Sequence, residues 1–137
     1  GNTNSWDDTA PTSTHITLGS ITRTNVDGSD YQAWLFASVP GISKVGSYTG
    51  SDSSQTQTIS TGFSPRFVII KCRNVNTTDW FVLDTIRGWN VNDDEILKIN
   101  STGGQSSSNY GQPTSSGFSV TNMINVGTYN YVYYAHA

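Results

Sequence analysis

Cysteine is almost missing from this chain: Cys72 stands alone among 137 residues. A single thiol excludes an internal disulfide framework. With only His15 and His136 to join it, Cys72 also lacks the partners of a Cys/His zinc site. Charge is scarce as well. Charged residues make up 12% of the chain, about half the ordinary share of ~25%. The net charge is −3, and the seven Lys and Arg are scattered rather than clustered. A nucleic-acid partner needs a basic footprint that this chain does not carry. No apolar run approaches the ~18 residues of a membrane span, and no signal-peptide pattern opens the sequence. Neither nucleic-acid binding nor membrane insertion is expected, and no cofactor is implied.

What is abundant is Ser, Thr, Asn and Gly, together nearly half the chain. Disorder with such a composition usually comes with few aromatics and a high net charge. Here aromatics reach 12%. The polar residues therefore read as turns and outer faces of a β protein, with Tyr, Phe, Trp, Val and Ile as its core. Strands are predicted over 14–18, 31–38, 42–48, 55–60, 66–73, 79–85, 95–99, 117–121 and 128–136. Their spacing of about ten residues, broken by Gly, Asn, Asp and Pro, is that of an antiparallel sandwich or barrel. No window sustains a helical period.

The stretch GFSPRFVIIKCRNVNTTDWFVLDTIRGW, residues 62–89, is the most patterned. Pro65 stands just before a strand, where its missing N–H costs nothing. Phe67 to Ile70 are apolar on both faces, as expected of a central strand. Cys72 alternates with Val68 and Ile70, so it reads as a buried small hydrophobe. Asn74 to Thr78 supply a turn, and Trp80 opens the returning strand. Asp84 and Arg87 are spaced to pair across the next turn as a local brace. Trp34, Phe36, Phe67, Phe81 and Phe118, all on predicted strands, read as core.

An internal echo suggests how the chain is organised. YQAWLFAS at 31–38 matches YNYVYYAH at 129–136 position by position, with Tyr31 on Tyr129 and Ala37 on Ala135. Each is preceded by a short strand and an Asn/Gly-rich turn, so the chain reads as cut from tandem repeats. Residues 1–13 are then a polar arm or linker. Residues 14–41 are the last strand pair of a preceding repeat, or the first strands of the sandwich. Residues 42–137 are a whole unit.

Several motifs in combination resemble a repeated domain of bacteriophage tail-fibre and other virion structural proteins, especially from aquatic phages. The carriers are Lys44 to Gly50 (KVGSYTG), Thr61 to Lys71 (TGFSPRFVIIK), Trp80 to Gly88 (WFVLDTIRG), Ser116 to Phe118, and Gly127 to Ala137 (GTYNYVYYAHA). The resemblance covers about residues 31–137. It implies a β-sandwich of jelly-roll or lectin-like kind with about nine short strands, in a virion appendage assembled in the host cytoplasm and without established catalysis. Other virion subunits and a homo-oligomer, by analogy with fibres a trimer, are the implied partners, together with a host-surface glycan. The resemblance transfers no functional residues. Cys72 departs from it, standing where relatives often carry a basic residue.

Catalytic patterns are weak. GISKVG at 41–46 misses the G-x-S-x-G elbow by one residue, and His136 in the last strand is poorly placed as a base. Asp93-Asp94-Glu95 is the densest acidic cluster, but adjacent acids do not bracket a sugar ring as glycoside hydrolysis requires, ~5–10 Å apart. No enzyme is expected. Asn90, Asn92, Asp93 and Asp94 gather oxygens in one loop, as do Asp27 and Asp30, so Asp93 and Asp94 are weak calcium candidates. Side chains bonding their own backbone explain such turns more simply. For carbohydrate, exposed loop aromatics matter most, and Trp6, Trp89 and Tyr110 are those expected in loops. Trp89, Asn90, Asn92, Asp93, Asp94, Tyr110 and Gln112 are the candidate ligand surface, if their two loops converge at one end of a sandwich. The alternative use of Trp89 is to cover the edge of the core. A capsid decoration or head-fibre module with a purely protein–protein role, and a carbohydrate-binding module of a secreted hydrolase, are the competing readings.

Overall fold

The computed structural model describes residues 5, 7–90 and 94–137. The chain divides into two compact units, Gly1–Leu35 and Phe36–Ala137.

The second unit is an antiparallel all-β sandwich. Its strands are β1 (Ser43–Thr49), β2 (Gln57–Ser60), β3 (Phe67–Cys72), β4 (Trp80–Asp84), β5 (Asp94–Lys98), β6 (Ser106–Ser108), β7 (Pro113–Thr114), β8 (Gly117–Val120) and β9 (Asn130–His136). One sheet has the order β1-β9-β3-β4-β5-β6, the other β2-β8-β7. The last strand, β9, lies between the first and the third. Tyr131 faces Tyr48 on one side and Cys72 on the other.

Alternation places the core. Along β3, Val68, Ile70 and Cys72 are buried while Phe67, Ile69 and Lys71 are only half-buried, so the expected two-faced cover is partial. Ile96, Leu83 and Phe81 continue the buried face across β5 and β4, and Ile59, Phe118 and Val120 meet it from the small sheet. Phe118 sets its ring edge-on to Tyr133 at 5.3 Å, closing the two sheets on each other. The brace expected after β4 is present. The Asp84 carboxylate binds the Arg87 guanidinium at 2.5 Å and accepts the Arg87 N–H at 2.8 Å.

The predicted strands at 14–18 and 31–38 are absent. A strand is held by a neighbour's ladder, and no described segment pairs with either one. Trp34 and Phe36, expected in the core, are exposed instead. Phe36 does lie against Tyr134, ring centroids 4.4 Å apart, on the outer face of the large sheet. The chain then curls along the open edge of β1: Val39 bridges to Ser43, and the Val45 N–H donates to the Ser38 hydroxyl. In the first unit the Tyr31 hydroxyl holds a turn, accepting the Val26 N–H and donating to the Thr22 carbonyl.

Two short strands went unforeseen. β6 is Ser-Ser-Ser at the edge of the large sheet and β7 is Pro-Thr at the edge of the small one, compositions that read as loop. Polar and proline-bearing edges are what a sheet tolerates where pairing stops.

Candidate functional site

The two expected loops do converge, but with the aromatics turned inward. Trp89 is 2% exposed and Tyr110 5% exposed. Trp89 packs edge-on against Phe118, ring centroids 6.1 Å apart, and Tyr110 tilts against Phe81 at 5.5 Å. Neither offers a face to a sugar, which corrects the expectation of a stacking platform; Trp89 covers the core instead, the alternative use given for it above. Burial is the better use of their apolar area, since water gains nothing by contacting it. Trp6, Asn92 and Asp93 lie outside the described residues.

Asp94 explains the convergence. Its carboxylate, fully buried, accepts the Asn90 N–H at 3.0 Å and the Tyr110 N–H at 2.6 Å. A buried anion satisfied by backbone donors is a clasp between two loops. That use turns it away from the role of solvent-facing calcium ligand. The Asn90 amide is exposed and donates to the Gly88 carbonyl.

Gln112 has a different setting. It lies in a groove of about 340 Å³ with Ser53, Thr56, Asn109, Ser119, Thr121 and Asn122. Three segments make the walls. The 50–56 loop contributes Ser53 and Thr56, the link between β6 and β7 contributes Asn109, Gly111 and Gln112, and the end of β8 with the residues after it contributes Ser119, Thr121 and Asn122. Backbone bonds tie them to one another. Ser119 N–H donates to the Gln112 carbonyl at 2.8 Å, Thr121 N–H to the Tyr110 carbonyl at 3.1 Å, and Asn122 N–H to the Ser53 carbonyl at 2.9 Å.

The groove floor is tight. Gly111 has φ +117°, and a Cβ there would stand 2.2 Å from the Ser119 carbonyl oxygen, so only glycine fits. Asn122 has φ +55°, in the left-handed region that Asn tolerates better than most residues.

Behind the groove sits Asn125, a fully buried amide that sequence reasoning missed. Its Oδ1 accepts the Ser51 N–H at 3.0 Å, and its Nδ2 donates to the Asp52 and Gln55 carbonyls at 2.8 and 3.0 Å. One side chain thus fixes the whole 51–55 loop. The Tyr48 hydroxyl donates to the Ile124 carbonyl at 2.7 Å and the Tyr131 hydroxyl to the Met123 carbonyl at 3.0 Å. These two tyrosines, stacked at 4.9 Å, anchor the 122–126 segment to the sheet. A polar residue inside an Asn/Gly-rich turn was the available signal for Asn125. Nothing in the sequence alone distinguishes it from its exposed neighbours.

The residues named for support are placed as follows. Tyr129 packs partly buried against the core, Trp80 is exposed and fixed by its N–H to Asn100 Oδ1 at 2.8 Å, and Tyr31 is half-exposed. His15 and His136 bind neighbouring hydroxyls, Thr14 at 2.6 Å and Tyr134 at 2.9 Å. Among the described residues no three of His, Cys, Asp and Glu gather as metal ligands, and no helix is long and apolar enough to cross a membrane. In Gly1–Leu35 a wider, largely apolar hollow of about 890 Å³ lies among Ile16, Leu18, Tyr31, Trp34 and Leu35, with Arg23 at its margin.

The fold and groove define an antiparallel all-β domain with a neutral, polar concavity at the end of its smaller sheet. Over residues 1–137 the chain belongs to the family described as domain of unknown function DUF7483. No curated protein and no solved structure matches it.

Proposed function

We propose that the chain is a non-enzymatic structural and adhesion domain of a phage virion appendage, of tail-fibre or tailspike-like kind, that presents a surface for host glycans. The observation that carries this reading is how the polar groups are used. The buried ones, Asp94 and Asn125, are engaged in holding loops, while the accessible concavity is lined by amides and hydroxyls rather than by an acid–base pair. Loops fixed on a rigid sandwich are a usual place for recognition. The virion location proposed here follows the sequence resemblance described above.

A second reading, a capsid decoration or head-fibre module with a purely protein–protein role, is favoured by the first unit. Leu18, Trp34 and Leu35 are exposed there around an apolar hollow, and exposed apolar patches commonly mark contacts between proteins.

Mass spectrometry of particles purified from the phage that encodes this sequence tests the first reading. Peptides of the chain are expected at structural abundance. Their absence from particles, with a secreted hydrolase encoded in the same reading frame, would overturn the reading in favour of a carbohydrate-binding module.

A further inference from the structure

We infer that the groove between Asn109–Gln112 and Thr121–Asn122 binds an uncharged, hydroxyl-rich ligand, a neutral oligosaccharide, through the Gln112 carboxamide. This rests on the adhesion reading and names the ligand class of that site.

Hydrogen-bond capacity is the first argument. Among the described residues neither the Gln112 carboxamide nor the Thr56 hydroxyl has a hydrogen-bond partner, and both line the groove. The Asn109 amide is oriented by its Oδ1, which accepts the Gly111 N–H at 3.1 Å, leaving its Nδ2 as a donor. Asn122 is oriented the other way. Its Nδ2 points to Ser108 Oγ at 3.4 Å and to the Asn109 carbonyl at 3.5 Å, leaving Oδ1 as an acceptor. Donor, acceptor and two groups able to do both thus face one concavity. A sugar hydroxyl donates one bond and accepts others, and a vicinal pair of hydroxyls spans a carboxamide as donor and acceptor at once.

Charge is the second. Among the described residues, none that lines the groove is ionisable. A uronate, sialyl or phosphoryl group would lose hydration there without meeting a countercharge, a cost a neutral ring avoids.

Preorganisation is the third. The three walls are cross-linked through Ser53, Tyr110 and Gln112 carbonyls, and the 51–55 loop is fixed from behind by Asn125, so a ligand need not order them. With Trp89 and Tyr110 in the core, however, no aromatic ring among the described residues lines the groove. Affinity is therefore on the order of millimolar per site, useful when many copies act together.

The test is a ¹⁵N–¹H titration of the full chain with neutral oligosaccharides (mannan, galactan and glucan tetrasaccharides) and acidic ones (oligogalacturonate, oligosialate). At least one neutral oligosaccharide is expected to shift amides of 53–56, 109–112 and 119–122. Gln112→Ala and Thr56→Val should weaken that binding at least five-fold with an unchanged unfolding midpoint, because neither side chain bonds another of the described residues. Tighter binding of the acidic set, shifts centred elsewhere, or variants that bind as the parent does would each overturn the groove assignment and leave the adhesion reading standing. No shift with any saccharide, in a chain shown to be present in particles, would overturn both the groove and the glycan role, leaving the protein–protein reading.

Discussion

Residues 31–38 and 129–136 carry nearly the same pattern, and only the second is a strand. Tyr133 is 6% exposed, while Leu35, the residue matched to it, is 75% exposed; Trp34, matched to Val132, is 66% exposed. The difference lies in neighbours rather than in propensity. β9 runs between β1 and β3 and has both its edges paired, whereas 31–38 has no ladder on either side among the described residues. Aromatic and β-branched residues favour a strand only because they fit a surface that something else has already built. A repeat in sequence therefore marks a capacity, and the surrounding sheet decides whether it is used.

The matched positions give the largest expected contrast. Tyr133→Ala removes a ring that contacts both Phe118 and Tyr48, and should cost about 3 kcal/mol or more. Leu35→Ala should change stability by less than ~0.5 kcal/mol, as surface substitutions do. Urea unfolding of the two variants reads both numbers. Equal costs would break the comparison, since they would mean that 31–38 is packed as β9 is.

Hydroxyls sharpen the contrast at a smaller scale. Tyr131→Phe deletes the donor to the Met123 carbonyl and the acceptor for the Val126 N–H, and should cost about 1–2 kcal/mol. Tyr31→Phe deletes a similar pair of bonds on an exposed turn, where water replaces them, and should cost less than ~0.5 kcal/mol. The same region sets the alkaline limit. Burial pushes the Tyr131 hydroxyl up to about 12 from its ordinary 10.0. Tyr48 is raised further, first by burial and then by the neighbouring Tyr131, and Tyr133 is raised by burial. Below pH 10 these groups are neutral whether the chain is folded or not, and their contribution is whole. Above it the unfolded chain releases protons that the folded chain keeps, so stability falls as pH rises towards the folded values. Unfolding followed between pH 9 and 12 by tyrosinate absorbance should show that loss. Tyr48→Phe should flatten it, and a flat profile in the parent would contradict the burial of these rings.

The sheet was legible where alternation met burial: FVIIKC, WFVLD and YVYYA read as strands because their inward residues are apolar. Asp84 and Arg87 were legible as a brace because the pair is local in sequence. The candidate site was legible only in part. Trp89 and Tyr110 lie in connecting segments, where position alone does not separate an exposed ring from one that covers the core edge. The sandwich closes its end with those two rings. Asp94 looked like a solvent-facing acid because its two partners, the Asn90 and Tyr110 amides, are backbone groups that no side-chain pattern records. Gln112 stands beside Tyr110 in sequence, yet its groove partners Thr121 and Asn122 come from across the β7–β8 hairpin, and Ser53 and Thr56 from a segment far away in sequence. The Asn125 clasp is hidden for the same reason.

The smallest effect concerns charge. Lys98, at the end of β5, binds Asp79, just before β4, at 2.8 Å, and both side chains are partly open to water. Such pairs are worth ~0.2–1 kcal/mol, so Lys98→Met should lose no more than that at low salt. Near 1 M salt, where charges are screened beyond ~3 Å, the deficit should shrink. The hydrogen bond from Lys98 also holds the Asp79 carboxyl below its ordinary 3.8. Its contribution is present above that pH and disappears as pH falls through the lower folded value, so parent and variant should converge in acid. In the first unit Arg23 edges the apolar hollow and makes no ion pair among the described residues. Arg23→Ala should therefore show neither the salt nor the acid dependence. A matching dependence at Arg23 would mean that the first unit holds its own charge network, and that the contrast between the two regions is one of packing alone.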